Sequence, residues 1–372
     1  MRNRFFNSLI ICAVLALMPQ LLSARNDAPV PTADSVAMLD NKVEALDNKV
    51  TTFQKILDKL PNISAFMQMF YTWEDTEPTT SQFRVRRARI TLSGNIYKNY
   101  LDYNFMVDFA GSVKLIDAYF RVTPWKQFNV QIGSFRPAFT LENVNYGATT
   151  MELIEYPQIV SKMTTIGDIT GLGSGSAGRD IGIQAYGGFF NRRGYSTLQY
   201  YVGIYNGNGL DFNGINSQKD VAAMLRVNPT RELALIGSVY IGQWAPGGKG
   251  TYAVRNRWSG GFMFDNQKWF LRGEYIGGVT GALHGVDGRL HTDGAYLTGG
   301  VWFCNRKVAP IARVEYYTPN VELRDRTDIF YTAGLLYCPW KYVRIQANYT
   351  AKTYTYDNRS GNQLLIMLTG MF

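Results

Sequence analysis

From Ile63 to Phe372, apolar and polar residues alternate in segments of roughly ten, and short and long connections take turns between the segments. In one segment Ile63, Ala65, Met67, Met69, Tyr71 and Trp73 share an apolar face, with Ser64, Gln68, Thr72 and Glu74 between them. In another, Tyr103, Phe105, Val107 and Phe109 alternate with Asp102, Asn104 and Asp108. A period of two sets one face of each strand against something apolar and the other against water. Brief connections such as Pro124-Trp125-Lys126, Asn228-Pro229-Thr230 and Pro339-Trp340-Lys341 carry turn chemistry. The longer ones, over 136–178, 206–219, 244–256 and 278–294, read as surface loops. About sixteen strands result, and an even number of that size closes around an aqueous lumen. The pattern predicts an all-β fold, a transmembrane antiparallel β-barrel over residues 61–372.

The last segment sends Leu364, Ile366, Leu368, Gly370 and Phe372 one way and Leu365, Met367, Thr369 and Met371 the other. Its aromatic end resembles the terminal signature of bacterial outer-membrane barrels. Ahead of the barrel the period changes. Val36, Leu39, Val43, Leu46, Val50, Phe53, Leu57 and Leu60 are spaced by threes and fours, and Asp40-Asn41-Lys42-Val43 nearly repeats as Asp47-Asn48-Lys49-Val50. This predicts a short coiled-coil helix over 34–60, stopped by Pro61. The alternative is a helix lying against the rim of the barrel. The apolar run Leu9–Met18 follows Arg2 and Arg4 and precedes Leu22-Ser23-Ala24, the layout of a secretory signal peptide over 1–24. Residues 25–33, with two prolines, read as a flexible leader, so the helix belongs in the periplasm and the barrel in the outer membrane.

Composition narrows the function. Hydrophobic residues make up 46% of the chain, yet mean hydropathy is −0.15, so apolar residues are interleaved and no long helical span is expected after the signal peptide. The net charge of +9 is scattered over alternate strand faces, which argues against nucleic acid as a partner. The two histidines, His284 and His291, share a Gly-rich stretch without an ordered serine partner, too little for an enzyme site or for a metal. Gly171-Leu172-Gly173-Ser174-Gly175 lacks the Lys-Ser/Thr of a nucleotide loop, and no cofactor is implied. Cys304 and Cys338 are separated by a whole strand, about two spacings of ~4.8 Å, beyond the ~7 Å reach of a disulfide unless the turns bend inward, and are expected as free thiols, the oxidising setting favouring the disulfide as the alternative.

The charged chemistry gathers in Phe83-Arg84-Val85-Arg86-Arg87-Ala88-Arg89-Ile90. Phe83 and Val85 fit one outward phase and Ala88, Ile90 and Leu92 another, so the phase slips at Arg86-Arg87. A β-bulge there would keep Arg84, Arg86, Arg87 and Arg89 off lipid, where each would cost about 2–4 kcal/mol near the midplane. Guanidinium forks along a wet wall match phosphate and carboxylate oxygens and stay charged, which makes an anion track. Arg226, Arg257, Arg272, Arg313 and Arg344 are further candidate rungs on inner faces. Asp102, Asp108, Asp117, Glu274 and Glu315 also fall in the inward phase and are expected to pair with neighbouring arginines and stiffen the wall.

The run from Phe83 to Asn95, Val107-Asp108-Phe109-Ala110, Asp117-Ala118-Tyr119, Gly133-Ser134-Phe135-Arg136-Pro137, Arg179-Asp180-Ile181-Gly182 and Tyr205-Asn206-Gly207-Asn208-Gly209 resembles the phosphate-selective porin O/P family. The resemblance implies a sixteen-stranded barrel, a homotrimer with three periplasmic helices, a third loop (136–178) folded into the lumen, and a passive channel for small anionic solutes. The outer-membrane setting brings lipid and lipopolysaccharide as further partners. Arg86-Arg87 matches the family's arginine pair, and Arg136 stands where members often carry Lys. Lys162 and Arg179 join the track as further candidate rungs on lumen faces. Glu152 and Glu155, in a loop that departs from the family's pattern, bring negative charge toward the narrowest part, so general anion preference is better supported than phosphate selectivity. The competing readings are a weakly selective porin, a carrier for some larger anionic nutrient with the long loops as its entry funnel, and a barrel anchor whose coiled coil binds a periplasmic partner.

Overall fold

The computed structural model describes residue 38, residues 41–52 and residues 60–372, the latter without 76–77, 98–99, 174, 193, 212–217, 248–249, 284–287, 324–325 and 357. It divides into two units, Met1–Leu60 and Pro61–Phe372. In the first, residues 41–52 form helix α1, on which Val43, Leu46 and Val50 are exposed. Val36, Leu39, Phe53 and Leu57 of the heptad pattern, the signal peptide over 1–24 and the leader over 25–33 lie outside the described residues.

The second unit is a closed antiparallel barrel. Its strands are β1 (Asn62–Glu74), β2 (Thr80–Tyr97), β3 (Leu101–Asp108), β4 (Lys114–Val122), β5 (Asn129–Phe135), β6 (Asp180–Arg192), β7 (Tyr195–Tyr205), β8 (Asp220–Val227) and β9 (Leu233–Ile241). After a two-residue β10 (Gln243–Trp244) follow β11 (Ala253–Asp265), β12 (Trp269–Gly281), β13 (Arg289–Val301), β14 (Val308–Thr318), β15 (Asp328–Trp340), β16 (Val343–Tyr354) and β17 (Arg359–Met371). Because β9 pairs directly with β11, β10 is a rim extension and the wall has sixteen staves. Phe66 to Glu74 of β1 pair with Met371 to Gln363 of β17, and Ala65 and Phe372 exchange two backbone hydrogen bonds of 2.7 and 2.9 Å. Every backbone donor along that seam thus finds an acceptor inside the wall, which a hydrocarbon surround demands.

The outward phase is apolar and exposed, with Met67, Met69, Ile90, Leu92, Phe105, Ile132, Val202, Ile204, Ile366 and Leu368 among its residues. The inward phase holds Gln68, Arg89, Gln184, Arg257, Arg272, Gln346 and Asn348, all buried. An apolar belt of this extent belongs against lipid.

The interior is not uniformly wet. Residues between β5 and β6, including helices α2 (Leu141–Asn145) and α3 (Gln158–Lys162), bury Phe139, Ile159, Val160 and Met163 against Tyr205, Tyr240, Ile276, Tyr296 and Tyr317 of the inner wall. Leu153 packs with Phe270, Ile311 and Leu336, and Ile154 with Phe70, Leu365 and Met367. Alternation along β17 marks Leu365 and Met367 as inward but cannot say what covers them. Each such side chain gains about 1.5–3 kcal/mol by leaving water, so the apolar stretch of this segment and the apolar patches of the wall find each other.

Two sequence boundaries shift. The stretch read as loop over 244–256 contains the start of β11, and the loop read over 278–294 shrinks to the residues between Gly281 and Arg289, because β12 and β13 extend into it. His291 consequently sits on β13 with its side chain exposed, while His284 lies outside the described residues. Cys304 and Cys338 are free thiols, in the β13–β14 turn and near the end of β15.

Candidate functional site

On β2, Gln68 of β1 stands opposite Arg87 and Met69 opposite Val85, so Arg86 is an extra residue without a cross-strand partner. That bulge reconciles the two outward phases: Phe83 (81% exposed) and Val85 above it, Ile90 and Leu92 below it. Arg84, Arg87 and Arg89 are then opposite Phe70, Gln68 and Phe66 on the inward phase. The guanidinium carbons of Arg84 and Arg86 lie 4.8 and 4.9 Å from the centre of the Phe70 ring, and both share its face by cation–π attraction. Arg86 Nη2 donates to Glu155 Oε2 at 2.7 Å, with the Arg86 side chain 12% and the Glu155 side chain 43% exposed. Arg87 Nη1 donates to the amide oxygen of Gln68 at 2.8 Å, and Arg89 Nε to Asp108 Oδ2 at 2.7 Å. The stripe therefore runs from an exposed Arg84 to a buried, neutralised Arg89.

The other residues singled out from sequence are held in different ways. Arg179 grips Asp117 through two nitrogens, at 2.9 and 3.2 Å, and is buried, so its fork is engaged with the wall. Arg136 Nη1 donates to the carbonyls of Asn143 and Tyr146 at 2.8 and 2.6 Å, closing the turn of α2. Lys162 ends α3, half-buried. Asp102 pairs with Arg121 at 2.8 Å and Glu315 with Arg313 at 3.3 Å. Glu274 does something else: it accepts the Leu141 amide at 2.8 Å and the Tyr296 hydroxyl at 3.1 Å, so it receives the N-terminus of α2 in place of an arginine.

The segment between β5 and β6 is bonded to the inner wall at point after point. Arg344 Nη2 and Gln346 Nε2 donate to the Met151 carbonyl, Gln68 Nε2 to that of Ala148, and Arg313 Nη1 to that of Glu155. The Ile154 amide donates to Asn348 and the Gln158 amide to Glu315. Arg272 of β12 sits between Glu142 at 2.6 Å and Glu152 at 2.8 Å. At the far end Asp168 takes two bonds from Arg257, 2.7 and 3.0 Å, and lies 3.7 Å from Arg255, which itself reaches Asp220 beside Tyr240. Gly178 closes the segment with a φ of +81°, where a Cβ would stand 2.1 Å from Asn143 Oδ1.

Sequence reading missed Asp168, Arg255 and Asp220. Inward phase on β11 is the signal that finds Arg255 beside Arg257, but the loop assigned over 244–256 concealed it. Asp168 lies in irregular chain, where no period points anywhere.

Glu142, Glu152, Glu155 and Asp168 each meet a wall arginine, so most inner cations are matched by carboxylates. Among the described residues, Arg84, Arg87, Arg136 and Lys162 have no carboxylate within ion-pair distance. A cavity of about 210 Å3 lies between Glu155, Tyr156, Gln158 and the inner faces of Arg313, Thr350 and Lys352.

Residues 61–232 match the family of phosphate-selective porins O and P. The match over these residues and the barrel fold support an outer-membrane porin channel, and such barrels are passive channels, not enzymes. No curated protein sequence matches the chain. An anion-selective porin from Comamonas acidovorans is similar in structure, with a TM-score of 0.64, 9% identity, and coverage of 84% of this chain and 99% of that one. OprB of Pseudomonas putida gives 0.63 at 8% identity, over 86% and 96%. OmpT of Vibrio cholerae, in a trimer form, gives 0.59 at 11% identity, over 84% and 100%. Identities this low speak for the porin fold alone.

Proposed function

We propose that this porin conducts small anions, phosphate among them, along a wall on which Arg84, Arg86, Arg87 and Arg89 form the charged stripe, with Arg136, Lys162 and Arg179 nearby. The observation that carries the reading is the bulge at Arg86. A strand gives up one ladder position there, and the effect is to hold a run of guanidinium groups off the lipid face. Among the described residues only Glu155 pairs with the Arg84, Arg86 and Arg87 group, so the local balance is positive. Asp108 and Asp117 would act as wall supports for Arg89 and Arg179, as Asp102 and Glu315 do for Arg121 and Arg313.

A unit charge pair at ~4 Å and an effective permittivity near 20 is worth about 4 kcal/mol before screening and desolvation. Net binding is therefore modest, as conduction requires, since a deep site would trap its ion. The segment over 136–178 would narrow the bore, with Glu155 at its edge.

Planar-bilayer recording tests the reading. Reversal potentials across a salt gradient follow the anion, and Arg86→Ala combined with Arg87→Ala shifts them toward neutrality; cation selectivity in the unaltered protein would refute it. Phosphate added to a chloride bath reduces chloride current if phosphate binds in the bore. A weakly selective porin is the second reading, favoured by the matched carboxylates of Arg272, Arg257 and Arg89. Homotrimeric assembly accords with the trimer form of the Vibrio cholerae porin, and three copies of α1 with exposed Val43, Leu46 and Val50 would then meet as a periplasmic coiled coil.

A further inference from the structure

Beyond the arginines the inner wall changes character. Down β4 the inward phase passes from Asp117 to Tyr119 and Arg121, whose guanidinium carbon is 5.5 Å from the Tyr119 ring. Neighbouring strands continue the surface: Asp102, Arg121, Gln131 and Gln184 align in one row, and Asn129, Tyr186 and Tyr201 in another. The rings of Tyr186 and Tyr201 lie 5.9 Å apart and within 8° of parallel. An open pocket of about 460 Å3 reaches the short-turn end of the barrel, lined by Lys126, Asn129, Tyr186, Ser196, Gln199 and Tyr201.

Two features of this pocket have no use in holding the fold. Among the described residues, the hydroxyls of Tyr186 and Tyr201 and the amide of Gln199 make no hydrogen bond. Tyr201 is meanwhile fixed from behind, against the apolar cluster of Ala138, Leu141, Met224 and Ile236. Rigid rings with free hydroxyls beside an unengaged amide offer an apolar face and a set of donors and acceptors together. A bare inorganic anion uses neither the face nor more than one or two of the donors. A pocket that combines ring faces with a few polar groups suits a ligand with both kinds of surface. Lys126 and Arg121 add positive charge at its edges, the latter with its side chain 40% exposed despite its bond to Asp102.

We propose that this wall is a binding subsite for a polyhydroxylated ring bearing an anionic group, a sugar phosphate in chemical class, its phosphate held by Lys126 and Arg121 and its ring received by Tyr186, Tyr201 and Gln199. The proposal rests on the reading of the bore as an anion path and names the solute class for which the path is built.

The test is block of chloride current in planar bilayers by three probes: inorganic phosphate, glucose and glucose 6-phosphate. Glucose 6-phosphate half-blocks at a concentration about tenfold below that of inorganic phosphate, the scale of one aromatic contact with its buried area. Tyr186→Ala with Tyr201→Ala reduces that ratio to near one and leaves block by inorganic phosphate unchanged. Gln199→Ala, which removes no packed ring, lowers it about threefold, the scale of one hydrogen bond. Tyr186→Phe with Tyr201→Phe keeps the faces and loses only the hydroxyl share of the ratio. Equal block by the two phosphates in the unaltered protein overturns the proposal, as does an unchanged ratio in Gln199→Ala together with the tyrosine variants. Reversal potentials from the same membranes judge the anion reading separately: an anion-selective channel with no ring preference loses the subsite alone, and a cation-selective one loses the reading beneath it.

Discussion

At the scale of single residues, the inner wall is mostly a set of arginines already occupied. Arg84 and Arg87 stand without a carboxylate among the described residues, and beside them the partner of Arg86, Glu155, is part exposed. Glu155→Gln is expected to raise anion preference, read as a larger reversal potential under a salt gradient, with little change in folding. Asp168 is the opposite case. It is buried with Arg257 and Arg255, and removing one partner of such a group costs about 3–5 kcal/mol because the other charges stay buried. Asp168→Asn should free the end of the segment from β11, giving noisier single-channel currents and a lower melting temperature. Unaltered current noise would mean that Asp168 is not what holds it.

At the scale of elements, the bulge in β2 separates two requirements that a regular strand could not meet together. Residues above it and below it must both present apolar side chains to lipid, yet the arginines fall in conflicting phases. Deleting Arg86 alone leaves Val85 and Ala88 outward and Arg84, Arg87 and Arg89 inward, so the barrel is expected to fold and keep its heat-modifiable mobility in gels. Deleting Ile90 is different. If the bulge closes to absorb it, Arg87 and Arg89 turn toward lipid at about 2–4 kcal/mol each, and if the bulge persists the rest of the strand changes face. That variant should fail to assemble, and a folded, membrane-inserted product would contradict the register argued here. Helix α2 shows a second local device: Thr140, at a φ of 61°, accepts the Asn143 amide and presents its own amide to Ser238, so strained backbone is tied to β9.

At the scale of the whole molecule, closure is what makes the inside and outside of the wall distinct. The seam between β1 and β17 has nine paired positions ending in the exchange between Ala65 and Phe372. Removing residues 363–372 exposes an unpaired edge along β1 and should abolish the compact, heat-modifiable form, whereas removal of Phe372 alone only frays one end. Residues 1–60 form a unit of their own, so loss of residues 34–60 is expected to leave barrel formation intact while weakening association of the proposed trimer, checked by chemical crosslinking.

Much of this was legible in the chain. Alternation alone named the outward faces of β1, β3 and β17, and the phase conflict around Arg86 located a bulge in the sequence itself, because lipid outside and polar groups inside leave a strand no other solution. The segment over 136–178 has no period to read. Its partners are far off in the chain: Asp168 with Arg257, Glu152 with Arg272, Glu155 with Arg86, Ile154 with Phe70 and Leu365. A periodic sequence encodes which way a side chain points, since that depends on the neighbours two residues away. Which inward arginine is spent on a carboxylate and which is left for a solute depends on where an irregular segment comes to rest, and only the closed three-dimensional wall decided that.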